Sequence, residues 1–337
     1  MLVVIGPAGA KEHVHPGHPE RPARIDAAMA GVEDLHLGSD LATVEPKVAT
    51  AEDLTRVHDS AYLDRLRQFC EAGGGALDAD TYAGRDSFDA ALLAAGAGLT
   101  ALEEADARGQ PVFVPVRPPG HHALAARSMG FCLLNNVAIA AAKLAAGGER
   151  VLIVDWDVHH GNGTQALFWD EPDVLYVSVH QSPCYPGTGA ASEIGGSSAR
   201  GSTLNVPVPP GTTGDVVRAA FDLMVTPAVE RFAPTWVLVS AGYDAHRADP
   251  LAELSLSAGD FADLARVVSG YAPGPGRLVV FLEGGYDLGA VRSSVSATFG
   301  ALTGADISAE HPTSGGAGIE QVHAAEHQRR VSLDGET

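Results

Sequence analysis

The segment Asp155-Trp156-Asp157-Val158-His159-His160 places two carboxylates and an imidazole at every second position. If strand geometry persists through it, residues 155, 157 and 159 point to one face. Such a group is self-repelling without a cation, and a divalent metal on Asp157 and His159 resolves that. Carboxylate oxygens with one imidazole nitrogen suit Zn²⁺, with Fe²⁺ or Mn²⁺ as alternatives. A third protein ligand is needed. Asp244, His246 and Asp249 all lie in one later loop, and spacing does not choose among them. Two further groups stand out. Gly120-His121-His122 follows Pro118-Pro119, so a rigid lead-in holds vicinal imidazoles that can divide base and acid roles if their partners differ. Asp155 is a candidate partner for one and Asn162 for the other. Glu283-Gly284-Gly285-Tyr286 brings a phenol close to the backbone, where it could stabilise a developing oxyanion.

The elements that must position these residues are short apolar runs: Val112–Val116, Val151–Asp155, Val174–Val179, Trp236–Ser240 and Leu278–Leu282. They are continuous and not alternating, as for strands of a parallel sheet covered on both faces. Helical patterns run over Phe88–Ala107, Asn135–Ala146, Asp215–Phe232 and Ser257–Tyr271. The alternation predicts a three-layer α/β fold with an open, mainly parallel sheet. Each strand leads at once into a polar or glycine-rich turn, and ligands of such sheets bind beyond the carboxyl ends of the strands. The catalytic domain is expected over residues 1–304. Residues 305–337, poor in large apolar side chains, are expected to be a surface tail.

Composition narrows the function further. The 337 residues carry 22 Lys+Arg against 42 Asp+Glu, a net charge of −20. That excludes a nucleic-acid binder working through a basic surface and permits a cationic partner. Cys70, Cys132 and Cys184 form neither a disulfide framework nor a zinc pair, which points to a reducing compartment. The amino-terminal apolar burst lacks a basic leader, and Ala90–Leu102 is too short to span a bilayer. A cytoplasmic protein without membrane contact is expected.

Taken in order, HPERPARI from His18, RPPGHHA from Arg117, GFCLLNN from Gly130, DWDVHHGNGTQ from Asp155, PGTG from Pro186, SAGYDAHRADPL from Ser240 and LEGGYD from Leu282 carry a family resemblance. Over roughly residues 13 to 303 the chain resembles the arginase–deacetylase superfamily. Within it, the match is to the zinc-dependent histone deacetylases and their bacterial amidohydrolase relatives. The resemblance implies an eight-stranded sheet and hydrolytic removal of an acyl group from an amine. It implies Asp157, His159 and Asp249 as zinc ligands, His121 and His122 as the tandem catalytic histidines, Tyr286 as the carbonyl-polarising phenol, and Asp155 as partner of the first histidine. Asn162 stands where class I members have an aspartate, as in class II and bacterial members. Potassium beneath the zinc is implied at Asp155, Asp157, His159, Ser178 and Val179. The acyl tunnel is implied at Phe131 and Tyr185, the substrate amide contact at Gly130, and the rim aspartate at Asp80, with Asp78 as the alternative.

Acetyl-lysine in a peptide and acetylated polyamines are both expected substrates of such a site. The stretch Gly73–Asp86 offers no clear insertion of the kind that narrows polyamine enzymes. Leu256, seven positions past Asp249, stands where one polyamine-selective branch has a glutamate. Both favour a protein or small-acyl-amide deacetylase. Arginase-type two-manganese chemistry lacks its second carboxylate set here. A non-catalytic acyl-amine binding protein, monomeric or oligomeric, is the alternative of another class.

Overall fold

The computed structural model describes residues 1–334. Ten strands form: Leu2–Ile5 (β1), Leu41–Val44 (β2), Gly74–Ala76 (β3), Tyr82–Gly84 (β4), Val112–Val114 (β5), Val151–Asp155 (β6), Val174–Gln181 (β7), Thr203–Val208 (β8), Trp236–Ala241 (β9) and Leu278–Leu282 (β10). Eight of them make one sheet in the order β2-β1-β5-β10-β9-β6-β7-β8, and every pairing in it is parallel. β3 and β4 form a separate antiparallel hairpin.

The continuous apolar runs follow from two cores, one on each face of the sheet. Leu152 and Val154 of β6 enter one core, while Val151 and Ile153 enter the other. β9 and β10 divide in the same way, with Val237, Val239 and Val280 against Leu238, Val279 and Phe281. Every side chain of such a strand is therefore buried, and period-two polarity is erased. Helices Ser87–Arg108 and Asn136–Ala146 cover one face, and Ala23–Glu33, Ala258–Ser269 and Leu288–Thr303 cover the other. Their starts are specified locally: Asn135 Oδ1 accepts from the backbone N–H of Ala138 at 3.0 Å, and Ser257 with Asp260 forms a reciprocal capping box.

Two expectations are revised. Asp215–Phe232 is not one regular helix; Gly214–Ala220 and Thr226–Phe232 are separated by a π turn over Phe221–Val225. Pro227 has no N–H to give to the preceding turn, which accounts for the break in the α-helical ladder. The expected surface tail, residues 305–337, is ordered and packed over 305–334, and its residues 335–337 lie outside the described residues. Ile319–Asp334 is a helix whose Val322 and Ala325 join the core, and Arg329 donates to the carbonyls of Gly201 and Thr203. Ahead of it, Thr313 donates its backbone N–H and its hydroxyl to the Asp260 carboxylate. Two small apolar residues and one arginine suffice because the helix packs on β8, an edge strand that needs cover.

Candidate active site

Strand β6 ends at Asp155, and the chain bends over 156–160 instead of continuing as a strand. The three alternate side chains still converge, through hydrogen bonds in place of strand geometry. Asp155 Oδ1 accepts from the N–H of Asp157 at 3.2 Å, and Asp157 Oδ1 from the N–H of His159 at 2.9 Å. His159 Nδ1 lies 3.2 Å from both Asp157 Oδ1 and Asp244 Oδ2. Asp244 also caps the bend, accepting the N–H of Val158 at 2.9 Å. Asp157 Oδ2 takes the N–H of Gly284 at 2.8 Å. A Cβ at Gly284 would stand 2.0 Å from Asp244 Oδ2, so only glycine lets the strand-end loop approach these carboxylates.

Asp157, His159 and Asp244 offer donor atoms within 4.8 Å of one another. Burial and the charge of Asp157 push Asp244 up to about 7. Burial opposes ionisation of Asp157 as well, but the charge of His121 and the hydrogen bonds of His159 hold its carboxyl below the usual range. Buried carboxylates crowded around one imidazole fit a divalent cation, which would relieve their repulsion. The structure thus gathers two of the three implied zinc ligands with Asp244. Asp249 is not part of that group. Its Oδ2 accepts the backbone N–H of Tyr286 at 2.6 Å, and its Oδ1 that of Leu251 at 3.0 Å.

The tandem histidines stand beside this group with ring centroids 4.0 Å apart. His121 Nδ1–H donates to Asp155 Oδ2 at 3.0 Å; His122 Nδ1–H donates to Asn162 Oδ1 at 2.8 Å. The partners separate their charge states. Burial works against a charged His121, yet Asp155 and Asp157 prevail and raise it to about 10. Burial, with the charges of His121 and His159, drives His122 well below its ordinary value. A neutral imidazole beside a charged one is the division that acid–base work requires.

A cavity of about 210 Å³ opens onto these groups, lined by Asp80, His121, His122, Phe131, Tyr185 and Tyr286 among others. Phe131 meets Tyr286 edge to face at 5.8 Å, and Tyr185 meets His122 at 5.2 Å. Gly130 lines it too, in a left-handed conformation (φ 56°), and a Cβ there would fall 2.4 Å from His122. A larger cleft of about 540 Å³ beside Trp236 and Arg277 holds none of these residues, so volume alone does not mark the chemistry. Of the two rim aspartates, Asp80 lines the cavity. Asp78 instead closes the turn of the β3–β4 hairpin, accepting the N–H of Thr81 at 2.7 Å. Ser178 lies opposite Asp155 in the β6–β7 register, with Val179 next to it. Leu256 does not reach the cavity. It is 1% exposed, packed in the core with Leu254 and Phe261, and so is no substrate contact.

Sequence reading missed the frame behind the tyrosine. Arg24 lies 4.9 Å over the Tyr286 ring and donates to the carbonyls of Gly285 and Glu283. Glu20 bridges Arg24 at 3.0 Å and Arg117 at 2.6 Å, all three buried. Glu283 Oε2 accepts the N–H of Gly120 at 2.7 Å and that of His121 at 3.2 Å, tying the histidine loop to the tyrosine loop. Nothing in HPERPARI alone separates the buried Glu20 and Arg24 from the exposed Arg21, because charged residues are equally at home in a solvated turn. Pro119, Leu251 and Gly284 also line the cavity without having been singled out as contacts.

A parallel α/β sheet whose strand ends gather a metal-ligating group, a histidine pair and a phenol defines a hydrolase of the deacetylase class. Residues 18–302 match the histone deacetylase domain, and the chain belongs to that family. It is 41% identical over 321 residues to histone deacetylase 14, chloroplastic, of Arabidopsis thaliana, covering 89% of this chain and 76% of that one. It is 42% identical over 278 residues to the histone deacetylase-like amidohydrolase of Pseudomonas aeruginosa, covering 80% and 73%. The crystal structure of the HDA15 HD domain superposes with a TM-score of 0.89 at 34% identity, over 98% of each chain.

Proposed function

We propose that the protein is a zinc-dependent amidohydrolase that removes acetyl, or another short acyl group, from the side-chain amine of lysine in peptides. The observation that carries this reading is the histidine pair with unlike partners, Asp155 and Asn162, in the wall of a narrow cavity beside Asp157 and His159. Asp157 and His159 would hold the zinc with one further carboxylate. The resemblance implies Asp249 for it, but the grouping of donor atoms supports Asp244, since the Asp249 carboxylate is engaged by the N–H groups of Leu251, Tyr286 and Asp287. When bound, zinc supplies Lewis-acid polarisation of the acyl carbonyl and makes water more acidic.

This chain's residues do the rest. Phe131 and Tyr185 wall the acyl-bearing alkyl chain and exclude water. Asp80 accepts hydrogen bonds from the substrate backbone at the rim. His122, kept neutral, accepts the proton of the attacking water at its free Nε2, while Asn162 fixes the tautomer from the other side. The Tyr286 hydroxyl donates to the carbonyl oxygen as charge develops there. His122 then returns the proton to the departing amine, and charged His121 steadies the change from beside it. Potassium at Asp155, Asp157, His159, Ser178 and Val179 is part of the same proposal, supported by the Asp155–Ser178 register.

Acetylated polyamines are the competing substrates. The β3–β4 hairpin over Gly74–Gly84 is short and contributes only Asp80 to the cavity lining, which supports a peptide. Acetate release from an acetyl-lysine peptide and from acetylputrescine, measured side by side, tests this. A higher kcat/KM for acetylputrescine would overturn the peptide assignment.

A further inference from the structure

A second pocket, of about 380 Å³, lies at the opposite rim of the sheet, lined by Arg200, Arg231, Arg329 and Ser202 among others. Leu175, also in its lining, stands near the start of β7, Ser202 precedes β8, and Phe232 ends the helix Thr226–Phe232. All are at amino-terminal ends of strands or behind them, whereas the catalytic groups follow the carboxyl ends. Three guanidinium groups therefore meet in one pocket of a protein whose net charge is −20.

No carboxylate lines the pocket or pairs with any of the three arginines among the described residues. Asp170, which accepts from the N–H of the lining residue Ser198 at 3.5 Å, is itself outside the lining. Arg329 spends its donors on the carbonyls of Gly201 and Thr203, and Arg200 on those of Ser332 and Leu333. These dipoles satisfy N–H groups without cancelling charge. Arg231, exposed at its helix end, makes no hydrogen bond among the described residues. Burial, and after it the charge of Arg231, lowers Arg329 to about 10. Ser202, 8% exposed, has a buried hydroxyl with no partner. Uncompensated like charges converging with an unused hydroxyl are the complement of a multiply charged oxyanion.

We infer that the pocket formed by Arg200, Arg231, Arg329 and Ser202 is a binding site for a phosphate-type oxyanion, separate from the acyl-amine site. Arg231 contacts the anion, the buried and unpartnered Ser202 hydroxyl reaches it by rotating about its own side-chain bond, and Arg329 and Arg200 contribute charge and hold the carboxyl-terminal helix against β8. An occupied pocket therefore ties that helix down more firmly.

Isothermal titration of the full chain with sodium pyrophosphate and with glycerol 3-phosphate, at constant ionic strength, tests the assignment. The expected result is saturable one-site binding of at least one probe and a raised unfolding temperature. Stronger binding of pyrophosphate assigns the free anion, and stronger binding of glycerol 3-phosphate assigns a phosphomonoester. Arg231→Ala, an exposed substitution, should keep the far-ultraviolet circular dichroism spectrum and weaken binding by roughly tenfold or more. Ser202→Ala should weaken it less. Absence of saturable binding overturns the inference. So does undiminished binding by Arg231→Ala, which would place the anion elsewhere, at the proposed catalytic metal for example.

Discussion

His121 and His122 are chemically identical side chains 4.0 Å apart, and only their partners make them different. A carboxylate behind one favours the imidazolium; an amide behind the other fixes a tautomer without adding charge. His122→Ala should therefore abolish most turnover. Asn162→Asp, which gives His122 a charged partner, should shift the kcat pH profile to higher pH as His122 becomes easier to protonate. Tyr286→Phe removes one oxyanion donor and is expected to reduce kcat by about 10²–10³ while zinc content stays at wild-type level. The third ligand is decided by metal analysis. Asp244→Asn should lose zinc, because Asp244 shares the donor group with Asp157 and His159, and Asp249→Asn should retain it; the reverse outcome would assign the ligand to Asp249.

At the scale of elements, the catalytic loops hang on a frame that is itself buried and charged. Arg24 holds two carbonyls of the tyrosine loop, and Glu20 holds Arg24. Arg24→Met would leave the Glu20 carboxylate with one partner fewer and free the Tyr286 loop. Loss of one member of a buried pair destabilises by about 3–5 kcal/mol, and denaturant unfolding should show a loss of that order. Addition of guanidine to that variant should restore part of its kcat if positioning is the cause. The strands that end at the site were legible because each is an uninterrupted apolar run followed by polar residues. β1 and β2 were not read as strands: Leu2–Ile5 is only four residues long, and Leu41–Val44 is a half-buried edge. β8 escaped because Pro207 and Asn205 break its apolar run. The carboxyl-terminal helix escaped for another reason: its stabilising contacts are an arginine and small apolar residues, which single-sequence patterns score as surface. Asp249 and Asp244 could not be separated by spacing, since both lie in one loop and their roles depend on which way that loop folds back.

For the whole molecule, acid stability follows from buried histidines and a buried carboxylate. Burial lowers both His13 and His58 to about 4. Their folded values lie below the unfolded value near 6.5, so the unfolded chain binds more protons between these limits. Each stabilises fully above about pH 6.5 and loses that contribution as pH falls towards 4, at about 1.4 kcal/mol per pK unit. Burial opposes the charge on Glu20, but Arg117 and Arg24 prevail and lower it to about 2. It adds a second loss between about pH 4.5 and 2. Urea midpoints measured from pH 7 to 4 should fall, and His58→Gln should flatten the upper part of the curve. A midpoint that rises on acidification would contradict the burial of neutral histidines. The net charge of −20 admits a related reading: the metal-site carboxylates account for a few of those charges, and the rest repel anions except where Arg200, Arg231 and Arg329 converge.

The most direct measurement is acetate release from an acetyl-lysine peptide by zinc-loaded wild type and by Tyr286→Phe, with zinc determined on the same samples. The expected result is wild-type turnover, equal zinc in both proteins and a fall in kcat of about 10²–10³ in the variant. Equal turnover by the two proteins, or zinc binding without any acetate release by wild type, would contradict the assignment of this site to amide hydrolysis.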